Sequence, residues 1–445
     1  MKRFYSLLLA SAALLTAQPD AEAIRNILAS RIDEHKRSLG IVVGVIDSSG
    51  KRVVSYGKRA AGDTKPLDGD TVFEIGSITK AFTGLLLADM ALRGEVTLDD
   101  PAQKYLPDGV KMPERGGHVI TLRHLSMHHS GLPRLPGNLK PVDPGNPYAD
   151  YGLSQLYEFL AGHTLRRDPG ETYEYSNLGA GLLGHLLARR AGKSYEDLLR
   201  ERIIDPLGMR DTRSVLTDAM KSRLAQGHGP QLEPVKNWDL DALAGAGALR
   251  STANDMLRLL EAALRGKLGE KLKLSLADRK GAGPSMTIGL GWHVFDGERQ
   301  IVWHNGGTGG YRSFAGFSPA TGKGVVVLSN SAHSADDIGL HLLDSTRKLQ
   351  QFRKEVTLAE AVLDRYPGRY QFAPNMVLTV TREGARLFVQ LTGQPRFEVF
   401  AESERKFFLK VVEAQLVFGG EGDAKAPQVT LFQNGAEQVA RRTAE

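Results

Sequence analysis

Thr71-Val72-Phe73-Glu74-Ile75-Gly76-Ser77-Ile78-Thr79-Lys80 is the stretch on which the reading of this chain turns. Its first half reads as an extended segment. Its second half opens a helical run over residues 81–92, closed by Arg93-Gly94. Residues three apart on a helix share a face, so Ser77 and Lys80 become neighbours. A serine hydroxyl is a poor nucleophile until an adjacent base removes its proton. A lysine whose pKa is lowered by burial or by another cation can be that base. The positive end of the helix then lies where an oxyanion would form. By itself Ser-x-x-Lys is a weak signal, because both residues are common. Its bland reading is a serine opening an amphipathic helix with a solvated lysine behind it.

Two further motifs follow in order. Tyr173-Glu174-Tyr175-Ser176-Asn177 supplies a Tyr-x-Asn triplet before another helical run. Trp303-His304-Asn305-Gly306-Gly307-Thr308-Gly309-Gly310 lies between two β-like segments. Ser-x-x-Lys, then Tyr-x-Asn, then a Lys- or His-x-Gly motif resembles the penicillin-recognising serine hydrolases. These comprise class C β-lactamases, serine D-Ala-D-Ala carboxypeptidases, D-aminopeptidases and β-lactamase-like esterases. The stretches 120–133, 174–184 and 206–212 support the match, and the resemblance runs from about Ile24 to Ser345.

The resemblance implies Ser77 as nucleophile, with its own N–H as one oxyanion donor. It implies Lys80 as proton acceptor and Tyr175 as proton relay to the leaving group. Asn177 would orient Lys80 and donate to a substrate amide carbonyl. His304 stands where class C β-lactamases carry lysine, as a conditional cation that steers a substrate carboxylate and tunes Tyr175. Gly307, on an edge strand, would give the second oxyanion N–H, with Gly306 and Thr308 beside it. One position departs from the pattern. The middle of the third motif is commonly a hydroxyl residue; here it is Asn305, which weakens the expected grip on a free C-terminal carboxylate.

The hydrolase part is expected to be an α/β lobe, an antiparallel sheet flanked by helices, built from both ends of the segment. An all-helical lobe is inserted between them, because residues 98–280 show helices and Pro/Gly-rich loops without sustained alternation. Strands are expected at 41–46 and 52–56 and again at 289–295, 300–303, 313–318 and 324–329, with helices at 21–39 and 336–351. After Phe352 short alternating runs are punctuated by Gly, Asn and Pro, which reads as a small antiparallel β-barrel or sandwich. It resembles the lipocalin-like tail of some family members. The expected domains are a signal peptide at 1–17, the hydrolase at 18–354 and the barrel at 355–445.

At 445 residues the chain has ample length for a core, and 41% hydrophobic with 24% charged residues is ordinary for a globular protein. Lys2 and Arg3 precede an apolar run over residues 4–15, with small residues near Ala17. That is the pattern of a signal peptide and is short for a membrane span. A periplasmic or secreted location is expected, with no stable membrane span after cleavage. With no cysteine there is neither a disulfide nor a lipid anchor. The net charge of +6 is spread along the chain with no basic run interleaved with aromatics, so no nucleic-acid partner is expected. No cofactor or metal is expected either: His124, His128 and His129 lack an adjacent carboxylate and read as helix and loop residues. Gly179-Ala180-Gly181-Leu182-Leu183-Gly184 fits a dinucleotide motif only by letters; it follows a loop, so close helix packing is its expected use.

The expected activity is acyl transfer through Ser77 on a small-molecule or peptide substrate, foremost a D-Ala-D-Ala carboxypeptidase or D-aminopeptidase reaction. A class C-like β-lactamase and a carboxylesterase are alternatives on the same fold. A silent penicillin-binding scaffold is the alternative of another class, opposed by the intact Ser77, Lys80, Tyr175 and Asn177. The barrel is expected to serve packing or homo-oligomerisation.

Overall fold

A computed structural model of the chain describes residues 20–409, 412, 414–433 and 436–443. The expected signal peptide lies outside the described residues. The chain divides into two compact units, Met1–Leu349 and Gln350–Glu445.

In the first unit, helix α1 (Ala21–Ala29) leads into the hairpin β1 (Gly40–Asp47) and β2 (Gly50–Gly57). Short strand β3 (Val72–Glu74) pairs with the distant β4 (Arg250–Thr252). Six more strands follow: β5 (Lys280–Gly283), β6 (Met286–Ile288), β7 (His293–Phe295), β8 (Ile301–Gly307), β9 (Arg312–Ser318) and β10 (Lys323–Ser329). With the hairpin they form an antiparallel sheet in the order β2-β1-β10-β9-β8-β7-β6-β5. The two ends of the unit therefore meet at the β1–β10 pair.

The alternation of side chains along these strands sorts two cores. Val42, Val302, Phe317, Val326 and Leu328 join one core, with helices α2 (Thr79–Leu92) and, later in the chain, Ala253–Leu264. Val43, Val45, Ile301, Phe314, Val325 and Val327 join the other, with α1 and the helix Asp336–Leu343. Helices on both faces explain why β1 and β10 are apolar at nearly every position. Helix α2 is buried from Thr79 to Met90, so it is enclosed on all sides rather than amphipathic.

Between α2 and β5 the chain is mainly helical: α3 (Leu122–Ser126), α4 (Leu153–Gly162) and α5 (Asn177–Ala191) carry the lobe, and Ala253–Leu264 (α6) returns to the sheet. The last helix of this unit, α7, is Asp336–Leu343 and stops eight residues before the expected end. The first helix also ends early as a regular helix, at Ala29, and continues as one wide turn to Glu34.

The second unit is a closed up-and-down barrel of eight antiparallel strands: β11 (Gly368–Ala373), β12 (Met376–Glu383), β13 (Arg386–Leu391), β14 (Phe397–Ala401), β15 (Lys406–Phe408), β16 (Ala414–Phe418), β17 (Gln428–Gln433) and β18 (Ala436–Arg442). Pairing of Tyr370 with Arg442 and Gln371 with Arg441 closes it. Tyr370, Leu378, Val389, Phe407, Phe418 and Val429 are among the side chains that fill its interior, as eight-stranded closure allows.

Candidate active site

The segment that carries Ser77 is held against the sheet by backbone. Gly76 adopts φ +48°, and Gly76–Ile78 form a tight turn that feeds α2. A Cβ on Gly76 would lie 2.7 Å from the Gly307 nitrogen, so only glycine lets the turn approach β8 this closely. The Ser313 hydroxyl of β9 donates to the Ile75 carbonyl at 2.8 Å and fastens the same turn.

Lys80 follows on the first turn of α2, with Nζ 2.9 Å from Ser77 Oγ. The side chain is buried, and desolvation first, then the charge of Arg134, pull its amine well below the ordinary lysine value. A neutral amine at that distance can accept the hydroxyl proton. Its second partner is the Ala246 carbonyl, at 2.7 Å, where the sequence reading places Asn177. That carbonyl is brought in by close packing: a Cβ on Gly181 would lie 2.7 Å from Leu243 Cα, and one on Gly184 would lie 2.8 Å from Gly245 Cα. The apparent dinucleotide motif of α5 is thus a packing surface.

Tyr175 packs over this pair, with Lys80 Nζ 4.9 Å from its ring centroid. Burial raises the phenol well above its usual range, and the facing Ser77 hydroxyl partly offsets that rise. His128 packs against Tyr175 with ring centroids 4.4 Å apart and the rings tilted by 35°, and its Nδ1 accepts from the Ser176 N–H at 3.1 Å. Ser176 then caps α5 by accepting from Gly179 N–H at 2.8 Å. His128 is therefore a wall of the Tyr-x-Asn loop. Among the described residues no group of His, Asp and Glu is arranged to hold a metal ion. Asn177 faces the Tyr148 hydroxyl and partly offsets the rise that burial causes there, and its buried Oδ1 has no protein partner.

The third motif lies on β8, which is an interior strand of the sheet, not an edge strand. Its pairing with β7 stops at Trp303, however, while pairing with β9 continues to Gly307. His304 to Gly307 thus present a local free edge on which an extended peptide can lie. His304 is fully buried and does not supply the expected cation: desolvation keeps its ring neutral, far below the ordinary histidine value. Its Nδ1 donates to the Asn305 carbonyl at 2.5 Å, which leaves Nε2 as an acceptor. Asn305 turns to the other face and donates to Asp336 Oδ2 at 2.6 Å.

Ser77, Tyr175, Asn177, Asn305, Gly306, Gly307 and Thr308 line one cavity of about 700 Å³. Lys80 stands behind Ser77 and His304 behind the strand. Charges missed in the sequence also reach the cavity: Arg134, whose guanidinium lies 5.1 Å above the Tyr175 ring, Arg312 and Asp336. Trp238 and His293 add aromatic walls. These residues sit in separate loops and strand ends, and no spacing in the chain connects them.

Residues 23–344 match the family profile described as Beta-lactamase, and residues 353–442 match a domain of unknown function, DUF3471. The chain is 27% identical over 423 residues to penicillin-binding protein 4* of Bacillus subtilis, covering 87% of this chain and 91% of that protein. It is 30% identical over 362 residues to the D-alanyl-D-alanine-carboxypeptidase/endopeptidase AmpH of Escherichia coli K12, covering 74% and 91%. A solved β-lactamase/D-alanine carboxypeptidase from Yersinia pestis superposes with a TM-score of 0.61 at 28% identity, over 74% of this chain and 96% of that one. Sheet, inserted helices and three motifs meeting at one cavity agree with that match over most of the length, and the chain belongs to the Beta-lactamase family of serine hydrolases.

Proposed function

We propose that this chain is an exported peptidase of D-Ala-D-Ala carboxypeptidase or D-aminopeptidase type, working through an acyl-enzyme on Ser77. The observation that carries the reading is a buried, charge-depleted Lys80 amine 2.9 Å from the Ser77 hydroxyl. Ser77 Oγ attacks the substrate carbonyl carbon while its proton passes to Lys80 Nζ. The carbonyl oxygen becomes an oxyanion facing the N–H groups of Ser77 and Gly307. Tyr175 passes a proton to the leaving nitrogen as the C–N bond breaks. Water then attacks the ester, gives up a proton to the same relay and releases the acid. A phenol held protonated by burial suits this role as carrier.

Asn177, with Oδ1 free, and the open edge of β8 would hold the substrate backbone. His304 would act as a neutral acceptor behind the strand, and Arg134 and Arg312 as the cations that attract a substrate carboxylate. We assign residues 18–354 to the hydrolase and 355–445 to a barrel that serves packing or self-assembly, a role supported by its filled interior. Among the described residues no helix is long and apolar enough to cross a membrane. Export rests on the segment 1–17 and its small residues near Ala17.

The test is kcat/KM on a D-Ala-D-Ala peptide, a D-amino-acid anilide, p-nitrophenyl acetate and nitrocefin. The D-substrates and the ester are expected to exceed nitrocefin. Nitrocefin hydrolysis near the diffusional ceiling of ~10⁸ M⁻¹s⁻¹ without peptide cleavage would make the protein a β-lactamase.

A further inference from the structure

The least expected group in the cavity is a carboxylate. Asp336 begins α7 and lines the same cavity as Ser77. Its neighbour Asp337 is committed elsewhere, in an ion pair with Arg31. Asp336 has no cationic nitrogen within 4.0 Å among the described residues. The nearby cation does not close on it. Arg312 Nη1 donates to the Thr308 and Tyr311 carbonyls at 2.8 and 2.9 Å. Its guanidinium lies across Gly307, where a Cβ would come 2.9 Å from Nη1.

Asp336 is held by one side-chain donor and one side-chain acceptor. Asn305 Nδ2 donates to Oδ2 at 2.6 Å, and the Asp336 N–H donates to Ser334 Oγ at 3.3 Å. This also accounts for Asn305 in the third motif. One of its two amide N–H donors is spent on Asp336, whose charge also faces any substrate carboxylate that approaches Asn305. Both acids at the start of α7 favour the helix dipole. That role needs no cavity exposure, however, and Asp337 fills it while ion-paired. Burial raises the Asp336 carboxyl above its ordinary value, a penalty that an arriving cation would relieve.

We infer that Asp336, aligned by Asn305, forms a subsite for an ammonium group of the substrate. The inference rests on Ser77 as the nucleophile and narrows the substrate class to D-amino-acid peptides that carry a free amine. That amine can be the α-amino group of the acyl residue or an amine on the departing residue. A bare carboxylate at this position is disfavoured.

Two matched pairs separate the sources. One is D-alanine p-nitroanilide with free or acetylated α-amine. The other is an N-acyl-D-Ala aminoethylamide with free or acetylated distal amine. All rates are normalised to the fraction of Ser77 labelled by a fluorophosphonate. One pair is expected to favour the free amine by about tenfold in kcat/KM, the size of one charge-assisted hydrogen bond. Asp336→Asn is expected to bring that ratio toward one, and Asp337→Asn to leave it in place. On the unaltered protein, D-alaninamide is expected to compete and N-acetyl-D-alaninamide is not, a readout independent of any variant's folding. A labelled, active protein with both ratios near one, or a ratio unmoved in Asp336→Asn, overturns the subsite. A protein that takes no label and turns over nothing fails the nucleophile assignment instead.

Discussion

Gly76→Ala tests the link between backbone geometry and chemistry at Ser77. Gly76 sits at φ +48°, where an L side chain costs about 1–2 kcal/mol. Its new Cβ would also lie 2.7 Å from the Gly307 nitrogen and 3.0 Å from its oxygen, both main-chain atoms of a sheet strand. Ordinary contact needs roughly 3.5 Å, so the turn and β8 must part by roughly 0.8 Å. That gap opens between the Ser77 and Gly307 N–H groups, where the oxyanion would sit. Misplacement on the order of 1 Å costs about 10² in rate. Gly94→Ala supplies the control, since Gly94 has φ +70° with nothing within 4 Å of a Cβ. The assay is kcat/KM on p-nitrophenyl acetate beside a thermal midpoint for each variant. Both variants are expected to lose stability. Only Gly76→Ala is expected to lose about two orders of magnitude in activity. If it stays within about twofold of the unaltered protein, the close approach does not set the oxyanion geometry.

Further outcomes follow from buried titrating groups and from the division of the chain. Lys80 must be neutral to accept a proton, so activity is present above its folded pKa and is lost as pH falls through it. Because that pKa is well below the lysine value, kcat/KM is expected to be at its plateau by mildly alkaline pH; a limb near 10 contradicts the buried base. His293 is buried, and desolvation pushes its pKa down to about 4 from the ordinary histidine value of 6.5, so the unfolded chain binds its proton first. Stability from this group is complete above about pH 6.5 and falls as pH drops toward 4, by up to about 3 kcal/mol. His293→Gln is expected to flatten that part of the denaturation profile, and an unchanged slope contradicts it. Ending the chain at Leu349 is expected to leave Ser77 reactive toward a fluorophosphonate; a soluble, folded but unreactive product means that the barrel completes the site.

The parts of the fold written in local pattern were legible. The hairpin, strands β8 to β10 and the alternating tail follow from period-two alternation, and Ser77 beside Lys80 follows from helical spacing; the short strands β5 and β6 were not expected. The barrel's last strand is hard to read locally, because β18, with Glu437, Gln438 and Arg441, carries little apolar alternation. The charge state of His304 was not legible, since it depends on packing beneath a sheet formed by distant segments. The same holds for the Ala246 carbonyl on Lys80 and for Arg134 over Tyr175, contacts that only tertiary folding creates.

The central claim is a covalent acyl-enzyme on Ser77 activated by Lys80. Intact-protein mass spectrometry after incubation with a penicillin or a fluorophosphonate, followed by peptide mapping, tests it most directly. One adduct per chain on the peptide containing Ser77 is expected, absent in Ser77→Ala and strongly slowed in Lys80→Met. Removing a nucleophile typically costs on the order of 10⁶ in kcat, so the Ser77→Ala rate is expected to fall to background. An adduct on another residue, or a Ser77→Ala protein that keeps a large share of its turnover, would contradict the account.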